Sequence, residues 1–167
     1  MCRRWVEAGR CRNLTAALCC MLWLGSASCL KAPNPYLERD IYGAVTLPVE
    51  WMEITPVEPL RPEREINSID LTFATKYELN SQSNGYRFPD GEVVLPEVQL
   101  VDQEGKVYPL GIAAIGAGGV DFSSFNPVSH LNNLPRDKVF TTVRIRSRKP
   151  FQCSKITWSG YNARDRK

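Results

Sequence analysis

The 167-residue chain has one histidine, His130, and beyond residue 29 one cysteine, Cys153. A single imidazole and a single thiol cannot assemble a histidine- or cysteine-based metal centre. The other five cysteines (Cys2, Cys11, Cys19, Cys20, Cys29) crowd into the first 29 residues, which leaves no disulfide framework for the remainder. Long apolar runs are also missing. No stretch approaches the ~18 uninterrupted apolar residues of a spanning helix, so a polytopic membrane protein is excluded. The 11 glycines and 12 prolines follow no three-residue period, which excludes collagen. Beyond residue 29 no segment of helical length repeats apolar residues at helical spacing. What remains, 43% hydrophobic and 23% charged, is an ordinary globular composition for one domain, too apolar for wholesale disorder.

Catalytic patterns are equally sparse. His130 lies in Asn126-Pro127-Val128-Ser129-His130-Leu131-Asn132-Asn133 with no nucleophile and orienting acid in a recognised arrangement, and reads as a loop histidine. Gly116-Ala117-Gly118-Gly119 lacks the Lys-Ser/Thr ending of a phosphate loop, and no helix signature follows it. It reads instead as a loop or a close approach of strands. Glu63 and Glu65 share a strand face but alternate with Arg61 and Arg64, as a solvated charge run does. A calcium site from Asp90, Asp102 and Asp121 would lack the alternating acid spacing of a dedicated loop. The sequence therefore predicts no enzyme, no cofactor and no metal.

The first residues do carry a pattern. Arg3, Arg4, Arg10 and Arg12 stand against one acid, Glu7, and lead into a 12-residue apolar run over 14–25 that ends in small residues, Gly25-Ser26-Ala27-Ser28. A basic n-region, a short h-region and small residues before a cut describe a secretory signal. Residues 1–28 are thus expected to form a signal helix that is cleaved. Ser26-Ala27-Ser28-Cys29 resembles the lipobox of bacterial lipoproteins, although Ser26 stands where that family usually has an aliphatic residue. The resemblance implies acylation of Cys29 and a membrane anchor through an N-terminal lipid. The competing expectation is a disulfide between Cys29 and Cys153, the only other thiol left after cleavage.

From residue 29 the chain carries 17 basic and 17 acidic side chains, polarised along its length. Residues 29–104 hold 6 basic and 14 acidic, and residues 105–167 hold 11 and 3. Halves of opposite sign are expected to neutralise each other across paired strands. Residues 29–44, with Pro33 and Pro35 and no clear period, read as a tether. The domain is then expected over 45–167.

Pro48, Pro56, Pro59 and Pro62 confine the segment around Trp51 to a loop or an edge strand. Strand signals follow. Ile69, Leu71 and Phe73 alternate with polar residues, as do Val143 and Ile145 among residues 140–147, and Ile156 and Trp158 among 155–159. Asn84-Gly85, Asp90-Gly91 and the run Asp102-Gln103-Glu104-Gly105-Lys106 mark turns. Short strands with frequent turns predict an all-β protein, an antiparallel β-sandwich of immunoglobulin-like or jelly-roll type.

Two groups of side chains suggest binding. Arg144, Arg146 and Arg148 project from one strand face at period two, and either meet carboxylates of the acidic half or present an anion- or partner-binding face. Trp51, Tyr86 and Tyr161 are candidates for stacking on sugar rings, whereas Trp158 shares parity with Ile156 and belongs inside. The expected function is that of a non-catalytic, lipid-anchored envelope protein, periplasmic or surface-facing, whose sandwich binds a protein partner or serves assembly. The alternative is a carbohydrate-binding module at the envelope. Export argues against a nucleic-acid partner. Exposed coplanar rings would favour sugar, and an uncovered apolar sheet edge would favour a partner strand.

Overall fold

The computed structural model describes residues 36–80, 82–124 and 134–162, and they are all-β. The expected signal segment (1–28), Cys29 and His130 lie outside the described residues. Six strands form the larger sheet: β1 (Leu37–Tyr42), β2 (Val45–Thr46), β4 (Ile66–Phe73), β10 (Gly111–Gly116), β11 (Gly119–Ser123) and β13 (Gln152–Tyr161), in the order β1-β13-β4-β11-β10 with β2 also on β13. A four-stranded sheet runs β3-β12-β8-β9, from β3 (Met52–Ile54), β12 (Phe140–Arg146), β8 (Glu97–Asp102) and β9 (Val107–Pro109). A small third sheet joins β5 (Glu78–Asn80), β6 (Gly85–Arg87) and β7 (Val93–Val94). Every pairing between strands is antiparallel.

The chain passes repeatedly between the two large sheets: β3 to β4, on to β8 and β9, back to β10 and β11, out to β12 and home to β13. This alternation is the strand order of a jelly roll, one of the two sandwich types expected. Alternating side chains make its core. Ile69, Leu71, Phe73, Val120, Phe122, Ile156 and Trp158 of the larger sheet share one buried cluster with Ile54, Val98, Leu100, Val143 and Ile145 of the smaller. Burying side chains of this size stabilises by roughly 1.5–3 kcal/mol each, and the period of two leaves the intervening residues for the outer faces.

The third sheet adds an aromatic group to this core. Tyr86 meets Phe73 and Phe151 edge-on at ring separations of 5.1 and 5.4 Å, and Tyr77 packs on both Phe88 and Phe151. The expected turns are present. Asn84 and Gly91 have positive φ between the strands of the third sheet, and Gly105 does so in the β8–β9 hairpin.

One boundary needs correction. Residues 37–42 fall in the expected tether, yet they form β1 and pair with β13 from Leu37 opposite Gly160 to Tyr42 opposite Ile156. The domain therefore begins before residue 45. Its alternation is hidden in the sequence because Arg39 occupies a half-buried position, where its guanidinium binds Glu58 at 2.6 Å and reaches the Pro59 carbonyl. A long stem with a charged tip can fill such a position without exposing the core.

Candidate functional site: the outer face and free edge of the larger sheet

The parity that turns Ile69, Leu71, Val120, Phe122, Ile156 and Trp158 inward turns Ser68, Asp70, Thr72, Asp121, Lys155, Thr157 and Ser159 outward. Register brings them together. Asp121 of β11 sits opposite Asp70 of β4, which sits opposite Thr157 of β13, and Ser68 sits opposite both Ser159 and Ser123. A depression of about 360 Å³ is lined by Asp70, Asp121, Lys155, Thr157 and Ser159, with Tyr36 and Tyr161 at one end. A second, of about 150 Å³, lies beside Asp121 under Ala113 and Ala114.

The polar groups here are partly organised by one another. Ser68 and Ser159 share a hydroxyl hydrogen bond of 2.8 Å, and Ser159 donates to Asp70 Oδ2. Asp70 Oδ1 is buried and has no hydrogen-bond partner among the described residues. Lys155 Nζ lies 3.0 Å from Glu38 and 3.3 Å from Asp40, so one cation stands among four acids. Burial raises the Asp70 pKa above the usual carboxylate range, against the lowering effect of Ser159 and Ser68. Burial, reinforced by the charge of Asp70, pushes Asp121 up to about 6. Two carboxylates opposite each other on paired strands repel, which adds to burial in raising Asp121.

The same sheet ends at β10, whose other side pairs with no strand among the described residues. Its sequence, Gly111-Ile112-Ala113-Ala114-Ile115-Gly116, contains no charge and no proline, and Gly111, Ala113 and Ala114 are exposed. The register with β11 slips at Ala113, a β-bulge. At the far end of the strand, the Tyr86 hydroxyl donates to the carbonyls of Gly116 and Gly119, at 3.0 and 2.7 Å, and ties the β10–β11 turn to the core. The glycine-rich run is therefore a tight turn, and Gly119 meets a close strand approach: a Cβ there would lie 2.5 Å from the Leu71 carbonyl oxygen.

The arginine row behaves differently from an open anion-binding face. Arg144 pairs with Glu53 of β3 at 2.6 Å, and Arg146 with Glu97 of β8 at 2.8 Å. Arg146 also lies over the Trp51 ring, 4.4 Å from its centre. Only Arg148, beyond the end of β12, is exposed. The carboxylates of the acidic half thus cover two of the three guanidiniums.

The three candidate stacking rings are not brought together either. Tyr86 is fully buried and cannot meet a sugar, because its ring fills the aromatic end of the core. Trp51 lies with Arg146 beside the four-stranded sheet, and Tyr161 lies on the outer face of the larger one, 6.3 Å from Tyr36. Cys153 is buried in the core, and that burial pushes its pKa up to about 12; its expected partner Cys29 lies outside the described residues.

The three loop acids also separate. Asp90 pairs with Lys149, Asp102 accepts from the backbone N–H groups of Glu104 and Lys106 and from the Tyr108 hydroxyl, and Asp121 joins Asp70. No group of three or more His, Cys, Asp or Glu among the described residues is placed to hold a metal ion. Comparison with known proteins finds no matching family model, no matching curated protein and no matching solved structure.

The Asp70–Asp121 pair was missed in the sequence. The outward parity of Asp70 was readable from Ile69, Leu71 and Phe73, but residues 51 apart meet only through the β4–β11 register, which nothing local encodes.

Proposed function

We propose that the chain is a non-catalytic exported protein, held at the cell envelope by a lipid on Cys29, whose sandwich binds a protein partner along the free edge of β10. The observation that carries this reading is the edge itself. Sheets commonly protect terminal strands with charge, proline or cover, and an edge with unpaired N–H and C=O groups is a template for strand addition. Among the described residues, β10 has of those protections only its bulge. Replacing Ala113 and Ala114, both exposed, by lysine puts charge on the edge without touching the core. Pull-down from detergent-solubilised membranes is expected to recover a companion chain with the natural protein and to lose it with this double variant. Equal recovery removes the edge from the function. Intact mass of the processed chain tests the anchor: a diacylglyceryl-sized increment on Cys29 is expected, and an unmodified N-terminus overturns it.

A second reading, carbohydrate recognition, is favoured by one observation, the 360 Å³ depression on the outer face. Its carboxylates and hydroxyls suit the donors and acceptors of a polyol, and Tyr161 supplies a ring at its end. Titration with a panel of neutral glycans is expected to give binding that Asp70→Asn with Asp121→Asn abolishes. Unchanged binding in that variant removes the site.

A further inference from the structure

Resting on the edge reading above, we propose that the partner of β10 is a second copy of this chain, joined antiparallel about a two-fold axis through its own β10. The strand reads the same in both directions: Gly-Ile-Ala-Ala-Ile-Gly. Turned through a two-fold, Ile112 meets Ile115 of the second copy, Ala113 meets Ala114, and Gly111 meets Gly116. An isologous interface requires such self-complementarity, since the same patch serves both subunits.

The bulge makes the pairing work on the faces of the sheet as well. In a regular strand, residues three apart point to opposite faces, so an inward isoleucine would meet an outward one. Here Ile112 pairs with Phe122 and Ile115 with Val120, both buried, so the slip at Ala113 turns both isoleucines inward. Ala113 and Ala114 both border the outer depression beside Asp121. The order along the edge is therefore inward, outward, outward, inward, symmetric like the residues themselves. A bulged edge resists arbitrary strands. It matches a strand with the same bulge, and apolar cross-strand pairs then meet on the inner face and small residues on the outer. No charge opposes itself across the axis.

Sedimentation of the full exported chain in detergent, over a dilution series, tests this. The natural chain is expected to be a dimer. Ala113→Lys with Ala114→Lys places like charges opposite each other twice and is expected to weaken the dimer at least about tenfold. Ala113→Glu with Ala114→Lys places opposite charges in both pairs and is expected to remain dimeric. That variant carries the same number of charges at the same positions, so it also controls for folding, with circular dichroism as the readout. A dimer that survives the double-lysine change overturns the register. A monomeric natural chain overturns the second copy, and the pull-down then decides the edge reading separately: recovery of a different companion, lost in the double-lysine variant, leaves that reading standing, and equal recovery ends both.

Discussion

Asp121 and Asp70 show what two half-buried carboxylates on facing strands cost a fold. The carboxyl of Asp121 has its pKa raised by burial and by Asp70, from 3.8 to about 6, so the folded state holds a proton that the unfolded chain releases. Stability is therefore lost as pH rises from about 4 to about 6, and the full penalty persists at neutral pH. A shift of about two units corresponds to roughly 3 kcal/mol, but a half-exposed carboxyl is screened by water, and we expect Asp121→Asn to stabilise by on the order of 1 kcal/mol at pH 7. Urea unfolding at neutral pH and near pH 4 checks this: the gain is expected at the first and absent at the second. A neutral residue that would stabilise the sheet, yet is not used, is what a binding role for the pair predicts. The arginines make the complementary point. Arg146→Ala removes the Glu97 pair and the contact with Trp51, and is expected to cost about 1 kcal/mol, whereas Arg148→Ala is expected to stay within about 0.5 kcal/mol. Thermal unfolding of the two variants side by side distinguishes them.

At the scale of the element, the larger sheet depends on how closely β11 approaches β4. Gly119 stands opposite Thr72, and a methyl group there would press on the backbone of Leu71, which cannot move without disturbing the centre of the sheet. Gly119→Ala is accordingly expected to destabilise by about 1–3 kcal/mol, the usual range for overpacking, measured as a shift in the urea midpoint at unchanged slope. The same elements show how much was legible beforehand. Alternation in residues 69–73, 140–147 and 155–159 identified β4, β12 and β13 because each buries one face and wets the other. Turn chemistry at Asn84, Gly91 and Gly105 marked the hairpins because positive φ restricts residue choice. β1 was hidden because an arginine stood at a half-buried position, and the Asp70–Asp121 pair was hidden because register is a property of two strands and not of either alone. Tyr86, a candidate stacking ring in the sequence, is instead fully buried, and the carbonyls of Gly116 and Gly119 satisfy its hydroxyl inside.

Across the whole molecule, the opposed charges of the two halves become pairs. Lys138, Arg144, Arg146, Lys149 and Lys155, all from the basic half, meet Glu104, Glu53, Glu97, Asp90 with Glu92, and Glu38 with Asp40, all from the acidic half. These contacts and the outer-face pair pull the pH dependence of stability in opposite directions. Asp90 is held below its ordinary pKa chiefly by the bond from Lys149; at Asp102 burial pushes upward but the backbone N–H groups of Lys106 and Glu104 and the Tyr108 hydroxyl prevail. Their contribution is present above the unfolded carboxylate value of 3.8 and is lost as pH falls below it. Asp70 and Asp121 are both raised, chiefly by burial, so their penalty is relieved as pH falls, for Asp121 from about 6 toward 3.8. Lys149 and Lys155 are raised by their carboxylate partners, which adds stability that is lost only in strong alkali. The two carboxylate trends cross on the acid side of neutrality, and the unfolding midpoint is expected to peak near pH 5 rather than pH 7. Asp121→Asn is expected to flatten the descent between pH 5 and 7 while leaving the acid limb in place, because that limb belongs to Asp90 and Asp102. A maximum at pH 7 or above in the natural chain would mean that the outer-face carboxylates meet in a solvated setting, and that the sheet carries no strain for a ligand to relieve.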